Sequence, residues 1–162
     1  MEVLVDGMLG KLARWLRLLG VKALFYPNAE DSELESALEE NPQMLLLTRD
    51  KALYSRLTRR GFKVLLVPQG RDEDVLAHVL SALGVEPAFK PDKALCSICA
   101  SPLLRVPREA VAGRVPEKVF QTYSEFYVCT GCGQVYWLGT HIREMEKVLE
   151  KVRCIQNGKT LC

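Results

Sequence analysis

Two pairs of cysteines constrain this chain more than any other feature: Cys96-Ser97-Ile98-Cys99 and Cys129-Thr130-Gly131-Cys132. Each pair leaves two residues between its thiols, and 29 residues lie between the pairs. A short C-x-x-C turn lets both sulfurs point at one ion, and two such turns complete a tetrahedron. The four side chains are therefore expected to bind Zn²⁺. Disulfide pairing or a redox dithiol is the competing reading. A redox C-x-x-C opens a helix in a strand–helix–strand setting, and neither pair has that setting. Four thiolates leave no open coordination position, so this metal is expected to hold structure. Any chemistry must come from elsewhere in the chain.

The 162 residues, 48% of them hydrophobic, suffice for one core and a small metal-held module. A net charge of +2 excludes a globally basic nucleic-acid binder, so any basic footprint is local. Met1-Glu2-Val3-Leu4-Val5-Asp6 lacks the basic start and long apolar stretch of a signal peptide. No apolar run reaches membrane-spanning length. Together with reduced, metal-binding thiols, this predicts a cytoplasmic protein that does not engage membranes.

Residues 1 to about 84 alternate apolar runs with helical patterns. Val3-Leu4-Val5, Ala23-Leu24-Phe25-Tyr26, Met44-Leu45-Leu46-Leu47 and Val64-Leu65-Leu66-Val67 read as buried strands. Between the first two, Leu9, Leu12, Ala13, Leu16 and Leu19 recur at helical spacing until Gly20. Ser32-Glu33-Leu34-Glu35 matches a capping box and opens a helix to about Glu40. Leu53 and Leu57 mark a third helix, and residues 73–83 a fourth. Nearly all-apolar strands alternating with helices predict a parallel sheet covered on both faces. Right-handed crossovers favour a 2-1-3-4 strand order. Residues 85–95, with Pro87 and Pro91, read as a linker. Short β-like stretches, notably Tyr127-Val128 and Val135-Tyr136-Trp137, accompany the cysteines. A short charged helix over 141–153 follows, then a polar tail in which Cys154 and Cys162 read as incidental thiols.

Ligands bind outside the carboxyl ends of parallel strands, where strand order reverses. Asp6 follows the first strand, Asp50 the third, and Asp31 the second. Carboxylates gathered at one edge repel each other unless a cation is present, and hard ions such as Mg²⁺ or Mn²⁺ suit all-oxygen sites. Such ions position and help ionise water and neutralise charge on a phosphate. Each acid taken alone reads better as a helix cap. Three acids after three successive strands converge on one edge, and capping does not account for that. Asp72 and Asp74, after the fourth strand, are both candidates for a fourth acid. Of the two histidines, His78 and His141, His78 lies in the fourth helix and reads as a packing or surface residue. Lys11, Arg14 and Arg17 share the helix face opposite the apolar stripe. Lys11 and Arg49 start beside the acids, where a polyanion would need contacts; Arg17, Arg59 and Arg60 read equally well as a solvated face. Trp15 reads as a packing residue that could also stack a base.

The stretch Asp6-Gly7-Met8-Leu9-Gly10-Lys11-Leu12-Ala13-Arg14-Trp15-Leu16-Arg17-Leu18-Leu19-Gly20 resembles the opening of the PIN-like RNase domain at the C-terminus of Mut-seven-type exonucleases. Thr48-Arg49-Asp50 and Asp31 fall where that family has further acids. The two C-x-x-C pairs and Tyr136-Trp137-Leu138-Gly139-Thr140-His141 are similar to its zinc ribbon and the segment after it. The resemblance covers the chain to about residue 150. It implies an α/β, PIN-like three-layer domain over residues 1–90. A β-rich zinc ribbon and C-terminal helix would occupy 91–153, and a tail 154–162. It implies metal-dependent cleavage of RNA, expected to be single-stranded, with Asp6, Asp50 and Asp31 as catalytic metal ligands. Lys11, Arg14 and Arg49 would bind the substrate. The alternative is a non-catalytic RNA- or protein-binding module that uses the ribbon.

Overall fold

The four apolar runs form β1 (Glu2–Val5), β2 (Lys22–Phe25), β3 (Leu45–Thr48) and β4 (Val64–Leu66). Each is followed by a helix: α1 (Gly10–Leu18), α2 (Asp31–Glu40), α3 (Lys51–Arg59) and α4 (Asp72–Leu83). The structure is a computed structural model and describes residues 1–159 and 161–162. All strand pairs in this sheet are parallel, in the order β2-β1-β3-β4. Successive side chains leave opposite faces of a strand, so Val3 and Val5 pack with Leu12, Leu16, Leu76 and Leu80 of α1 and α4. Leu4 and Leu46 pack on the other face with Leu34, Leu38, Leu53 and Leu57 of α2 and α3. Each fully buried leucine contributes about 1.5–3 kcal/mol relative to exposure. Helices on both faces thus fix the carboxyl ends of the strands along one edge.

The capping box at α2 lies two residues earlier than the sequence predicts. Glu30 is the cap, and its backbone N–H donates to Glu33 Oε2 at 2.7 Å. The expected partner Glu35 pairs instead with Arg56 of α3 and with Arg60 just after it, and Asp31 becomes the first helical residue.

The second half builds an antiparallel sheet from β5 (Leu103–Pro107), β6 (Glu125–Cys129) and β7 (Val135–Tyr136). A 3₁₀ turn at Arg108–Val111 and the short α5 (Glu117–Thr122) intervene. Val111, Phe126 and Val135 form its own small core, with Trp137 tilted 60° against Phe126 at 6.3 Å. The last helix, α6 (His141–Gln156), is longer than the expected 141–153. Its charges conceal a stripe, Met145, Leu149 and Val152, that joins the core shared by α1 and α4. Cys154 and Cys162, read as incidental thiols, form a disulfide instead. Gly158, at a φ of +76°, turns the chain back after α6. Among the described residues no helix is long and apolar enough to cross a membrane.

Candidate functional site

Asp6 and Asp50 come together because β1 and β3 are neighbours. Asp6, the residue after β1, is buried, and its backbone N–H donates to Leu47 O of β3 at 3.0 Å. Thr48 closes β3 and is fully buried. Its hydroxyl donates to Asp6 Oδ2 at 2.7 Å and accepts from the Asp50 backbone N–H at 3.1 Å. One threonine therefore ties the two acid-bearing strand ends together. Asp50 also caps α3, accepting from Leu53 N–H at 3.0 Å. The sequence singled out no role for Thr48. The available signal was a hydroxyl closing an otherwise apolar strand, because a buried hydroxyl needs a partner.

Asp31 lies on the same side of the sheet, at the start of α2, but is exposed and 3.6 Å from the Arg56 guanidinium. The loops bearing Asp6 and Asp31 pack closely: a Cβ on Gly7 would come within 2.7 Å of Pro27 O. Among the described residues, only the four cysteines form a group of three or more potential ligand side chains within 4.8 Å of one another. The acid edge is more open than that.

Lys11, Arg49, Asp72, Met8 and Trp15 line one cavity of about 210 Å³ beside the acid edge. Lys11 pairs with Asp72 there, and Arg49 Nε donates to Pro68 O at 3.2 Å. Arg14 is exposed on α1. Asp74 instead binds Arg71 at 2.8 Å, so Asp72 is the acid of α4 that faces this cavity. Arg17, read as equally compatible with a solvated face, is buried. At about 100° per residue, it sits at the border of the apolar stripe rather than opposite it.

The cysteine cluster lies between the halves. Cys96 and Cys99 come from the turn before β5, Cys129 from the end of β6, and Cys132 from the turn before β7. Cys99 and Cys129 sulfurs are 3.3 Å apart, and those of Cys96 and Cys132 are 3.6 Å apart. Gly131 and Cys132 backbone N–H groups each donate to Cys129 Sγ at 3.3 Å. A Cβ on Gly131 would overlap the Ser101 hydroxyl, which accounts for the glycine in Cys-Thr-Gly-Cys. Hydrogen bonds from the Ser101 side chain and backbone pull the Cys99 thiol down to about 6. Cys132 is pushed up to about 12: a backbone hydrogen bond at Gln134 favours its thiolate, but desolvation and hydrogen bonds to Cys96, Cys129 and Cys99 outweigh it. Such divergence marks sulfurs too close to ionise together without a cation. The donor set fits a soft or borderline metal such as zinc.

These features define an α/β protein with a parallel four-stranded sheet and a separate antiparallel sheet bearing a four-cysteine group that could hold a metal such as zinc. The Mut7-C RNAse domain family matches residues 1–149 of the 162, and the chain belongs to that family. No curated protein and no solved structure matches the chain.

Proposed function

We propose that this protein is a divalent-metal-dependent ribonuclease whose catalytic edge is built from Asp6, Asp50 and Asp31. Residues 1–90 form a PIN-like α/β domain in this reading. Residues 91–153 form a zinc ribbon with its helix, and 154–162 a tail. The carrying observation is the Thr48 bridge, which joins Asp6 and Asp50 across neighbouring strands in a chain of an RNase-domain family. Carboxylate oxygens at a sheet edge fit Mg²⁺ or Mn²⁺. When bound, such an ion supplies an activated water and neutralises phosphate charge.

The residues divide the remaining work. Thr48 fixes the Asp6 carboxylate so that one oxygen is held and the other is available for ligation. Asp50 is oriented by its own α3 cap. Lys11, Arg14 and Arg49 bind the backbone phosphates of single-stranded RNA, and Asp72 is the fourth acid of the edge. RNA must displace Asp72 from Lys11 to use that lysine, an exposed pair worth little to break. Ligation of Zn²⁺ by the four clustered cysteines requires reduced thiols, which fits the cytoplasm, where the Cys154–Cys162 pair would stand reduced.

A binding module without turnover is the second reading. What favours it is that Asp50 caps α3 and Asp31 is paired with Arg56. Cleavage of a labelled single-stranded RNA, with Mn²⁺ supplied or withheld, separates the two. Wild type should cut only with Mn²⁺, and Asp6→Asn and Asp50→Asn should not cut. Metal-independent cutting, or equal cutting by all three proteins, would reject the proposal.

A further inference from the structure

Arg17 is 6% exposed, unusual for a guanidinium. Its Nε donates to Ala23 O at 2.8 Å. Its Nη1 donates to Ser97 O at 2.8 Å and to Ile98 O at 3.2 Å. Ser97 and Ile98 are the two residues between Cys96 and Cys99, so the guanidinium buttresses the first metal-binding turn from behind. The Leu95 N–H returns a bond to Arg17 O at 2.9 Å. From the other side, Tyr136 Oη lies 3.1 Å from Cys96 Sγ and accepts from the Ser97 N–H at 3.2 Å. The last turn of α1 and the first cysteine turn are thus one hydrogen-bonded unit.

Charge explains why an arginine stands there. A divalent ion held by four thiolates carries a net charge of about −2, and a buried cation is tolerated only beside such a partner. Burial pulls the Arg17 pKa down, and the charges of Cys96 and Cys99 oppose that pull.

We propose that Arg17 is a positioning residue for the cysteine-held metal, and that through it metal occupancy is coupled to the C-terminal turn of α1. The opposite end of that helix follows the Asp6 loop. The inference rests on the cysteine group binding a divalent ion, and does not depend on whether the acid edge cuts RNA.

The test uses the full chain and Co²⁺, whose thiolate absorbance reports binding. Arg17→Met should weaken Co²⁺ binding about 10–100-fold, the usual effect of losing an outer partner of a metal ligand. Arg17→Lys, which keeps the charge but not the fork, should lie between. Arg59→Met, on the exposed face of α3, should bind like wild type. Coupling is reciprocal, so amides of residues 14–19 should exchange more slowly with metal than without it in wild type. In Arg17→Met their exchange should no longer respond to metal. If Arg17→Met does not fold, Arg17→Lys and the wild-type exchange data decide. Equal Co²⁺ affinity of wild type and Arg17 variants would overturn the proposal while leaving the metal site standing. So would α1 exchange that ignores metal in wild type. Absence of Co²⁺ binding by wild type would overturn both.

Discussion

Replacing Thr48 by valine tests the joint that brings the acids together. Valine keeps the volume and β-branching of threonine, so the buried strand end should stay packed. The hydroxyl is lost, and with it the donor to the buried Asp6 carboxylate and the acceptor for the Asp50 N–H. A hydrogen bond to a charged group is worth about 1.5–3 kcal/mol, and a half-buried N–H left without an acceptor adds about 1 kcal/mol. The sum is about 3 kcal/mol. Thr48→Ser keeps the hydroxyl and loses only a buried methyl, about 1 kcal/mol. Urea unfolding of the zinc-loaded protein at neutral pH, without added Mg²⁺ or Mn²⁺, should therefore rank wild type, serine, then valine. A 3 kcal/mol loss in a chain of this size lowers the Tm by roughly 6–12 °C. A valine variant within about 0.5 kcal/mol of the serine variant would refute the reasoning, since the hydroxyl would then carry no measurable share.

Gly7→Ala should cost about 1–3 kcal/mol by thermal unfolding, because its Cβ would meet the Pro27 backbone at 2.7 Å; an unchanged Tm would mean that the two loops are not packed as described. Affinity for single-stranded RNA should fall with salt, and Arg14→Ala and Arg49→Ala should each reduce the log–log slope by about 0.7. A slope that neither substitution alters would remove these arginines from the RNA surface.

The order of the parallel sheet was legible because each strand is a short, nearly uninterrupted apolar run. A doubly covered sheet needs strands of that kind. That order alone carries Asp6 and Asp50 to one edge. The pattern could not show how they are joined, because Thr48 contacts a residue 42 positions away. Arg17 was misread for a related reason. Residue type argues for solvent, whereas its partners, Ser97 and Ile98, lie about 80 residues further on. The α2 cap shifted because Glu35 found a stronger partner on α3 than its own helix offered. In α6 the periodic stripe was present, but charges outnumber it, and only packing on α4 reveals it. The cysteine group was legible from spacing because a C-x-x-C turn that could hold a metal is a local object. The disulfide at Cys154 was not, because connectivity depends on where the chain turns back.

A metal-dependent ribonuclease requires that the acid edge hold a divalent ion. Mn²⁺ binding to the zinc-loaded protein, followed by loss of the free-ion paramagnetic resonance signal, asks this without requiring the right RNA. Wild type should bind Mn²⁺, and Asp6→Asn and Asp50→Asn should each weaken binding by about tenfold or more, since ligand charge sets the affinity of such sites. No binding by wild type, or variants that bind Mn²⁺ as tightly as wild type, would contradict it.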